Sequence, residues 1–296
     1  MKIGMIGLGK MGGNMAERLR RHGHTVVGMD PKAPGADATD LDGLIPLLAE
    51  DGQPRVAWSM VPSGPITDGT ITGLAERLSP GDVVIDGGNS NYKDSIRHGE
   101  ELAARGIHFV DCGTSGGVWG LENGYALMVG GSDEAVAVVQ PIFDALAPPK
   151  GFAHVGPVGS GHYVKMVHNG IEYGIMQAYA EGYAILDAAP LDIDVRAAIG
   201  SWQEGSVVRS WLLDLLIKAL DETPGLDGIA SVAADSGEGR WTVNEAVDNG
   251  VPAPVISAAL FARFASQRRE DDVTMKVVSA LRNQFGGHTI AHEAQS

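Results

Sequence analysis

The rhythm of apolar and polar positions changes about half-way along the chain. Up to about residue 156, short β-like runs alternate with stretches of helical spacing. Lys2–Ile6, Thr25–Met29, Val56–Met60, Val83–Ile85, His108–Val110 and Ala126–Val129 read as strands. Several are continuous apolar runs, as buried parallel strands require. Between them Met11–His22, Ile66–Leu78, Asp94–Arg105 and Asp133–Leu146 have helical length. This alternation predicts an α/β, Rossmann-type N-terminal domain built on a doubly wound parallel sheet. Beyond it the pattern is helical over 160–187, 192–200, 204–221, 242–249, 253–267 and 270–284, which predicts an all-α C-terminal domain. The turn-rich run Gly156–Gly161 marks the boundary. The expected division is an α/β domain over 1–158 and a helical domain over 159–296.

A length of 296 residues suits two domains, and 44% hydrophobic residues can fill real cores. The net charge of −15 argues against nucleic acid or an anionic membrane as partner. An anionic small substrate would therefore need a local basic pocket. Cys112 is the single cysteine, so no internal disulfide framework exists, as expected of a cytoplasmic protein. No signal peptide is read at the start, and no stretch reaches the roughly 20 apolar residues of a membrane span.

Gly7, Gly9 and Gly12 form G-x-G-x-x-G directly after the first strand and at the start of the first helix. In that setting the first Gly allows the tight turn, the second lets a pyrophosphate approach the backbone, and the third allows helix–strand packing. Gly7, Leu8, Gly9, Lys10, Met11 and Gly12 are the candidate cofactor loop. Asp30 ends the second strand, where a carboxylate accepts from a ribose and repels a 2′-phosphate. That favours NAD, while the neighbouring cation Lys32 leaves NADP open. A capping role before Pro31 is the plainer alternative for Asp30. Three more loops follow strands: Val61-Pro62-Ser63, Asp86-Gly87-Gly88-Asn89-Ser90 and Cys112-Gly113-Thr114-Ser115-Gly116-Gly117. Val61 is placed beside the nicotinamide, and Asn89 offers both donors and acceptors to cofactor and substrate.

Lys165, His168, Asn169 and Glu172 fall at i, i+3, i+4 and i+7 of the first C-terminal helix, with Tyr173 beside them. Val164, Val167, Ile171, Ile175 and Ala178 take the other side, expected to face the core. A solvated polar face is the plainer reading of the stripe. Against it, Gly170 and Gly174 sit mid-helix at a cost of about 1 kcal/mol each relative to Ala, so something approaches closely there. A Lys with a lowered pKa can remove a hydroxyl proton during hydride transfer, and a Glu with a raised pKa can protonate carbon.

These motifs resemble the β-hydroxyacid dehydrogenase superfamily and, within it, the decarboxylating 6-phosphogluconate dehydrogenase family in its short form. Asp86-Gly87-Gly88-Asn89-Ser90 and Lys165-Met166-Val167-His168-Asn169-Gly170-Ile171-Glu172-Tyr173 carry the likeness most specifically. The resemblance implies oxidative decarboxylation of 6-phosphogluconate to ribulose 5-phosphate and carbon dioxide, with reduction of NAD or NADP and without a metal. It implies that Lys165 acts as base and then acid, that Glu172 protonates C1 of the enediol, and that His168 and Asn169 complete the catalytic group. Asn89, Ser115, Gly116, Gly117, His168 and Asn169 would hold the sugar acid, Tyr173 and Arg263 its phosphate, and Arg263, Arg282 and His288 would form the local basic pocket. Phe261-Ala262-Arg263 and Gly237-Glu238-Gly239-Arg240-Trp241-Thr242 match further family stretches. Arg282 and His288 match a C-terminal pair that reaches a neighbouring subunit's site, implying a homodimer or homotetramer. Three departures stand out. The duplicated helical half of the long forms is missing, Ser236 and Glu238 replace a phosphate-contacting Lys and a Thr, and Asp30-Pro31-Lys32 replaces an Asn-Arg-Thr that accompanies NADP. The open alternatives are a related dehydrogenase acting without decarboxylation and a non-catalytic nucleotide sensor.

Overall fold

The computed structural model describes residues 1–50, 52–268 and 272–290. The chain separates into two compact units, Met1–Lys165 and Met166–Ser296.

The first unit runs β1 (Lys2–Ile6), α1 (Lys10–Arg21), β2 (Thr25–Met29), α2 (Leu41–Leu47), β3 (Val56–Ser59), α3 (Pro65–Arg77), β4 (Val83–Asp86), α4 (Tyr92–Ala103), β5 (His108–Ser115), α5 (Gly120–Asn123), β6 (Ala126–Gly130), α6 (Asp133–Leu146) and β7 (Phe152–Gly156). The strands form one sheet in the order β2-β1-β3-β4-β5-β6-β7. Gly4 of β1 lies opposite Val27 of β2 on one side and Ala57 of β3 on the other, both parallel. The chain reverses its progress across the sheet between β1 and β3, the switch point at which open α/β sheets bind ligands.

Strand residues alternate between two buried layers. Ile3, Met5, Trp58, Val83 and Ile85 face one, with Met15 and Leu19 of α1 and Phe143 of α6. Ile6, Ala57 and Val84 face the other, with Ile71 and Leu74 of α3 and Leu102 of α4. Both faces are dry, which is why these strands read as continuous apolar runs. Helix α6 starts as its sequence dictates: Ser132 Oγ accepts the Ala135 N–H, and Asp133 and Glu134 sit in the first turn.

The sheet departs from the expected all-parallel form at β6, which pairs antiparallel with β5. The connection, residues 116–125, holds only a 3-10 turn and α5. It is too short for the crossover of a dozen or more residues that a parallel neighbour needs. Two elements go unseen in the sequence. Helix α2 is interrupted by Gly43 and Pro46 and is nucleated by Asp40, whose Oδ1 accepts the Gly43 N–H at 2.8 Å. Strand β7 closes the sheet edge and alternates in exposure, so it shows no apolar run.

Helix α7 (Ser160–Asp187) runs through the division, and the second unit continues with α8 (Val195–Gly200), α9 (Trp211–Glu222), α10 (Glu238–Asp248), α11 (Pro254–Ser266) and α12 (Val273–Gly286). The all-α expectation holds over the described residues. The pattern read from 204 becomes helix only at Trp211. Ser210 caps that turn by accepting the Leu213 N–H, and Gly205 upstream sits at a φ of +71°.

One expectation reverses. Val164, Ile171 and Ile175 are 37%, 51% and 38% exposed, Ala178 is exposed too, and Val167 is half-buried. The face carrying Lys165, Asn169 and Tyr173 is the buried one, in line with Met176, Ala180 and Tyr183. The reason lies in α10. A Cβ on Gly170 would meet the Thr242 side chain at 2.6 Å, and one on Gly239 would meet the Tyr173 ring at 2.5 Å. The glycines admit close helix packing on the mixed face, Thr242 against Gly170 and Gly239 against the Tyr173 ring. No helix among the described residues is long and apolar enough to cross a membrane.

Candidate active site

At the carboxyl end of β1 the backbone turns at Gly7, which has a φ of +90° and no room for a Cβ beside the Met60 carbonyl, 2.8 Å away. Gly12 packs directly against the Gly7 carbonyl, whereas nothing lies within 4 Å of a Cβ on Gly9. Helix α1 starts at Lys10 with no side chain capping it. A closed turn, an open backbone and an uncapped helix start fit a diphosphate. Met11 is half-buried on the first turn of α1.

Asp30 takes the turn-capping role open to it. Its Oδ1 accepts from Lys32 N–H at 2.8 Å and Ala33 N–H at 3.1 Å, and its Oδ2 from Leu8 N–H at 2.9 Å. The Lys32 and then the Leu8 N–H hold its carboxyl below the usual range. Oδ2 keeps acceptor capacity for a ribose hydroxyl, and the anchor to Leu8 ties the glycine loop to the specificity position.

The loops after β1, β3 and β4 converge. Val61 Cγ1 is 3.3 Å from a Cβ on Gly7, and the Val61 carbonyl is 3.0 Å from one on Gly88. Asp86, fully buried, shapes the third loop: Oδ1 accepts from Gly88 N–H at 3.0 Å and Oδ2 from Ser90 O–H at 2.7 Å. Asn89 is the exposed tip. Ser115 ends β5 and Gly116 and Gly117 follow it, all three half-buried, and Gly116 has a φ of +141° that excludes a side chain.

Lys165 is 7% exposed and lies at the last position of the first unit. Strand β5 sets its place. Gly113 abuts the Lys165 Cβ so closely that no side chain fits there. Two residues earlier, buried Asp111 accepts the Gly159 N–H at 2.6 Å and the His162 N–H at 2.8 Å. A carboxylate from the sheet thus caps the helix that carries the candidate base. The buried His162 ring is held through Nδ1, 2.7 Å from Ser95 Oγ.

In the second unit the same helix presents His168 and Asn169, hydrogen-bonded to each other at 3.0 Å, then Glu172, half-buried, and Tyr173, 3% exposed. The Arg263 guanidinium lies over the Tyr173 ring, 3.3 Å from its centroid. Arg263 is 3% exposed, which rules out an ordinary surface ion-pair role. Burial pushes its pKa down to about 10, with Arg282 adding to the effect and Tyr173, Glu172 and Asp235 opposing it. Burial also lowers Arg282, against the pull of the same three groups. Arg263, Arg282, Glu172 and Tyr173 therefore form one electrostatic cluster. His288 stands apart, exposed beyond α12 with its ring edge-on to Phe285. Residues 291–296 of the C-terminal tail lie outside the described residues. Among the described residues no three His, Cys, Asp or Glu side chains gather as a metal site.

Residues 2–156 match the NAD binding domain of 6-phosphogluconate dehydrogenase, and residues 161–295 match the C-terminal domain of the same enzyme. The chain belongs to the 6-phosphogluconate dehydrogenase family. It is 41% identical over 301 residues to the NAD(+)-dependent, decarboxylating 6-phosphogluconate dehydrogenase of Haloferax volcanii, covering 99% of each chain. It is 44% identical to YqeC of Bacillus subtilis, which carries a provisional name from the same family, covering 97% of this chain and 98% of that one. Among solved structures, Plasmodium falciparum 6-phosphogluconate dehydrogenase, determined with NADP+ and with 6-phosphogluconate, superposes with a TM-score of 0.80 at 27% identity. That match covers 96% of this chain and 70% of the longer one. The family's NAD-binding domain is thus the sheet unit with the glycine loop.

Within this family member, sequence reasoning passed over Asp111 and Asp235, and met Gly113 and Thr242 only as members of longer motifs. Thr242 Oγ donates to the Met166 carbonyl at 2.7 Å, tying α10 to α7. Asp111 and Gly113 act by burial and proximity rather than by motif. Asp235 precedes and Thr242 follows the Gly237-Glu238-Gly239 stretch that opens α10, so proximity to those glycines was the one signal that could have singled them out.

Proposed function

We propose that this chain catalyses the oxidative decarboxylation of 6-phosphogluconate to ribulose 5-phosphate and carbon dioxide with reduction of NAD. The carrying observation is the buried stripe Lys165–Asn169–Tyr173 on one helix, with Arg263 stacked on its last member. Lysine is seldom buried without a task, and an aromatic-stacked guanidinium in a chain of net charge −15 supplies the local basic pocket an anionic substrate needs. The Haloferax relative, similar along its whole length, carries the same activity in its name.

The nicotinamide cofactor, held by the Gly7–Gly12 loop and Asp30 with Val61 alongside, supplies the hydride acceptor. Lys165 takes the proton of the 3-hydroxyl and returns it to the carbonyl oxygen as carbon dioxide leaves. Glu172 protonates C1 of the enediol while Lys165 takes back the hydroxyl proton, which leaves the ketone of ribulose 5-phosphate. Asn89, Ser115, Gly116, Gly117, His168 and Asn169 orient the sugar acid, and Tyr173, Arg263 and Arg282 hold its phosphate. Asp30, with acceptor capacity left on Oδ2, supports NAD over NADP. We divide the chain functionally at 158/159, so that the whole of α7 belongs to the substrate part.

We also read the protein as a homodimer or homotetramer in the cytoplasm. The support is the apolar face of α7, exposed in a single chain at Val164, Ile171 and Ile175 and prolonged by Val255, 67% exposed beside Gly174. His288, exposed beyond α12, is suited to reach a neighbouring subunit.

The test is reduction of NAD against NADP with 6-phosphogluconate, with evolved carbon dioxide measured alongside. Equimolar NADH and carbon dioxide is the expected result. A phosphate-free acid turned over far better, or NADH without carbon dioxide, would overturn the assignment.

A further inference from the structure

Asp235 places a carboxylate beside groups assigned to a phosphate, where a second anion should repel the substrate. Its Oδ1 accepts the Tyr173 O–H at 3.2 Å and the Gly237 N–H at 2.9 Å. Its Oδ2 receives Arg240, from Nε at 3.0 Å and Nη2 at 2.9 Å. The Asp235 side chain is 8% exposed and that of Arg240 57%, so a buried anion is held by a cation at the rim. Arg240 is itself steadied, with its Cζ 5.0 Å from the Phe264 ring centroid. Asp235 also acts electrostatically on both Arg263 and Arg282.

Building on the phosphate reading above, we infer that Arg240 is a specificity-determining residue: by neutralising Asp235 it lets that carboxylate hold the Tyr173 hydroxyl without repelling a phosphorylated substrate. The charge balance argues for this. Arg263 and Arg282 supply two positive charges, and Glu172 and Asp235 remove both when ionised. A phosphate dianion entering that set gains little unless one anion is already compensated. Arg240 compensates Asp235 through a charge-assisted hydrogen bond from Nε, with Nη2 in ion-pair contact with the same oxygen. Ser236 contributes a hydroxyl to the same Tyr173 oxygen, 3.2 Å away, and brings no charge of its own. An unscreened carboxylate about 10 Å from a phosphate charge, at an effective dielectric of about 20, would weaken binding by about ten-fold or more.

Arg240→Met keeps an apolar stem over Phe264 and removes the charge. The KM for 6-phosphogluconate should rise about ten-fold with kcat and the KM for NAD little changed, while the KM for phosphate-free gluconate stays where it was. Asp235→Asn added to Arg240→Met keeps an acceptor for Tyr173 and removes the anion, so it should restore the KM. An unchanged KM in the single variant overturns the inference. So does a double variant that stays weak, which would make Arg240 a direct phosphate ligand. Calorimetric binding of inorganic phosphate to the same three proteins separates this inference from the functional reading. Wild-type protein inert toward 6-phosphogluconate, yet ranking phosphate as wild type and double variant above single, would sink the activity alone. Equal phosphate binding by all three would sink the inference alone.

Discussion

Arg263 lies flat on Tyr173, 3.3 Å from guanidinium carbon to ring centroid, and both side chains are 3% exposed. A buried cation with its pKa drawn down to about 10 gains strongly from an anion that enters beside it. Arg263→Ala should therefore raise the KM for 6-phosphogluconate by about ten- to a hundred-fold, the worth of one or two charge-assisted hydrogen bonds. Arg263→Lys should recover little, because an ammonium neither stacks nor forks. Steady-state kinetics with both variants checks this, and a lysine variant of near-normal KM would contradict it.

Lys165→Ala should lower kcat by about 10²–10⁴-fold while NADH still binds with wild-type affinity, the mark of a lost general base. Fluorescence titration of NADH beside single-turnover kinetics measures both. Activity within a few-fold of normal would remove Lys165 from the mechanism.

Gly113→Ala intrudes on the Lys165 Cβ, and Asp111→Asn strips the charge that caps α7. Each should lower kcat by about ten-fold or more with a much smaller effect on the KM for NAD, since neither touches the glycine loop. If both variants lost NAD binding in proportion to kcat, the residues would be general fold supports rather than positioning groups.

Asp30 carries a pH dependence of known sign. Backbone N–H groups hold its carboxyl below the unfolded value, so its contribution is fully present above that value, about 4. It is lost as pH falls through the lower, folded value. Thermal melts of wild type and Asp30→Ala should differ at neutral pH and converge in acid. The same variant should narrow the preference for NAD over NADP. Parallel melting curves at every pH, or unchanged cofactor preference, would count against the two roles respectively.

Charging the exposed face of α7, with Ile171→Glu and Ile175→Glu together, should convert the oligomer to monomer in multi-angle light scattering. The wild-type protein emerging as a monomer would dismiss the interface at once.

The nucleotide unit was legible because its physics is local. A strand, three glycines at fixed spacing and an acidic strand end write themselves into consecutive residues, and β1, α1 and β2 follow from them. The antiparallel β6 was not legible from its own apolar run, since orientation depends on the length of the connection before it. The polar stripe of α7 could be read from spacing alone, whereas the direction it faces could not. Periodicity ranked Val164, Ile171 and Ile175 as the buried side, but Gly170 and Gly239 let α10 pack against Tyr173 instead. The suspicion raised by a mid-helix Gly170 was well placed, and Thr242 is what approaches there. Asp111 left no local trace, because a residue that caps a helix from a distant strand is invisible until both are folded.

The Asp86 loop has a consequence for how quickly substrate can be engaged. Asn89 is exposed at its tip, yet Asp86 already fastens the loop on either side of it, through the Gly88 N–H and the Ser90 hydroxyl. Ordering a flexible residue costs about 1–2 kcal/mol, and here that entropy is surrendered during folding rather than at encounter. Under the role proposed for Asn89, a sugar acid would meet a tip already in shape, and hydrogen bonds to it would add to affinity without first having to organise the loop that carries it.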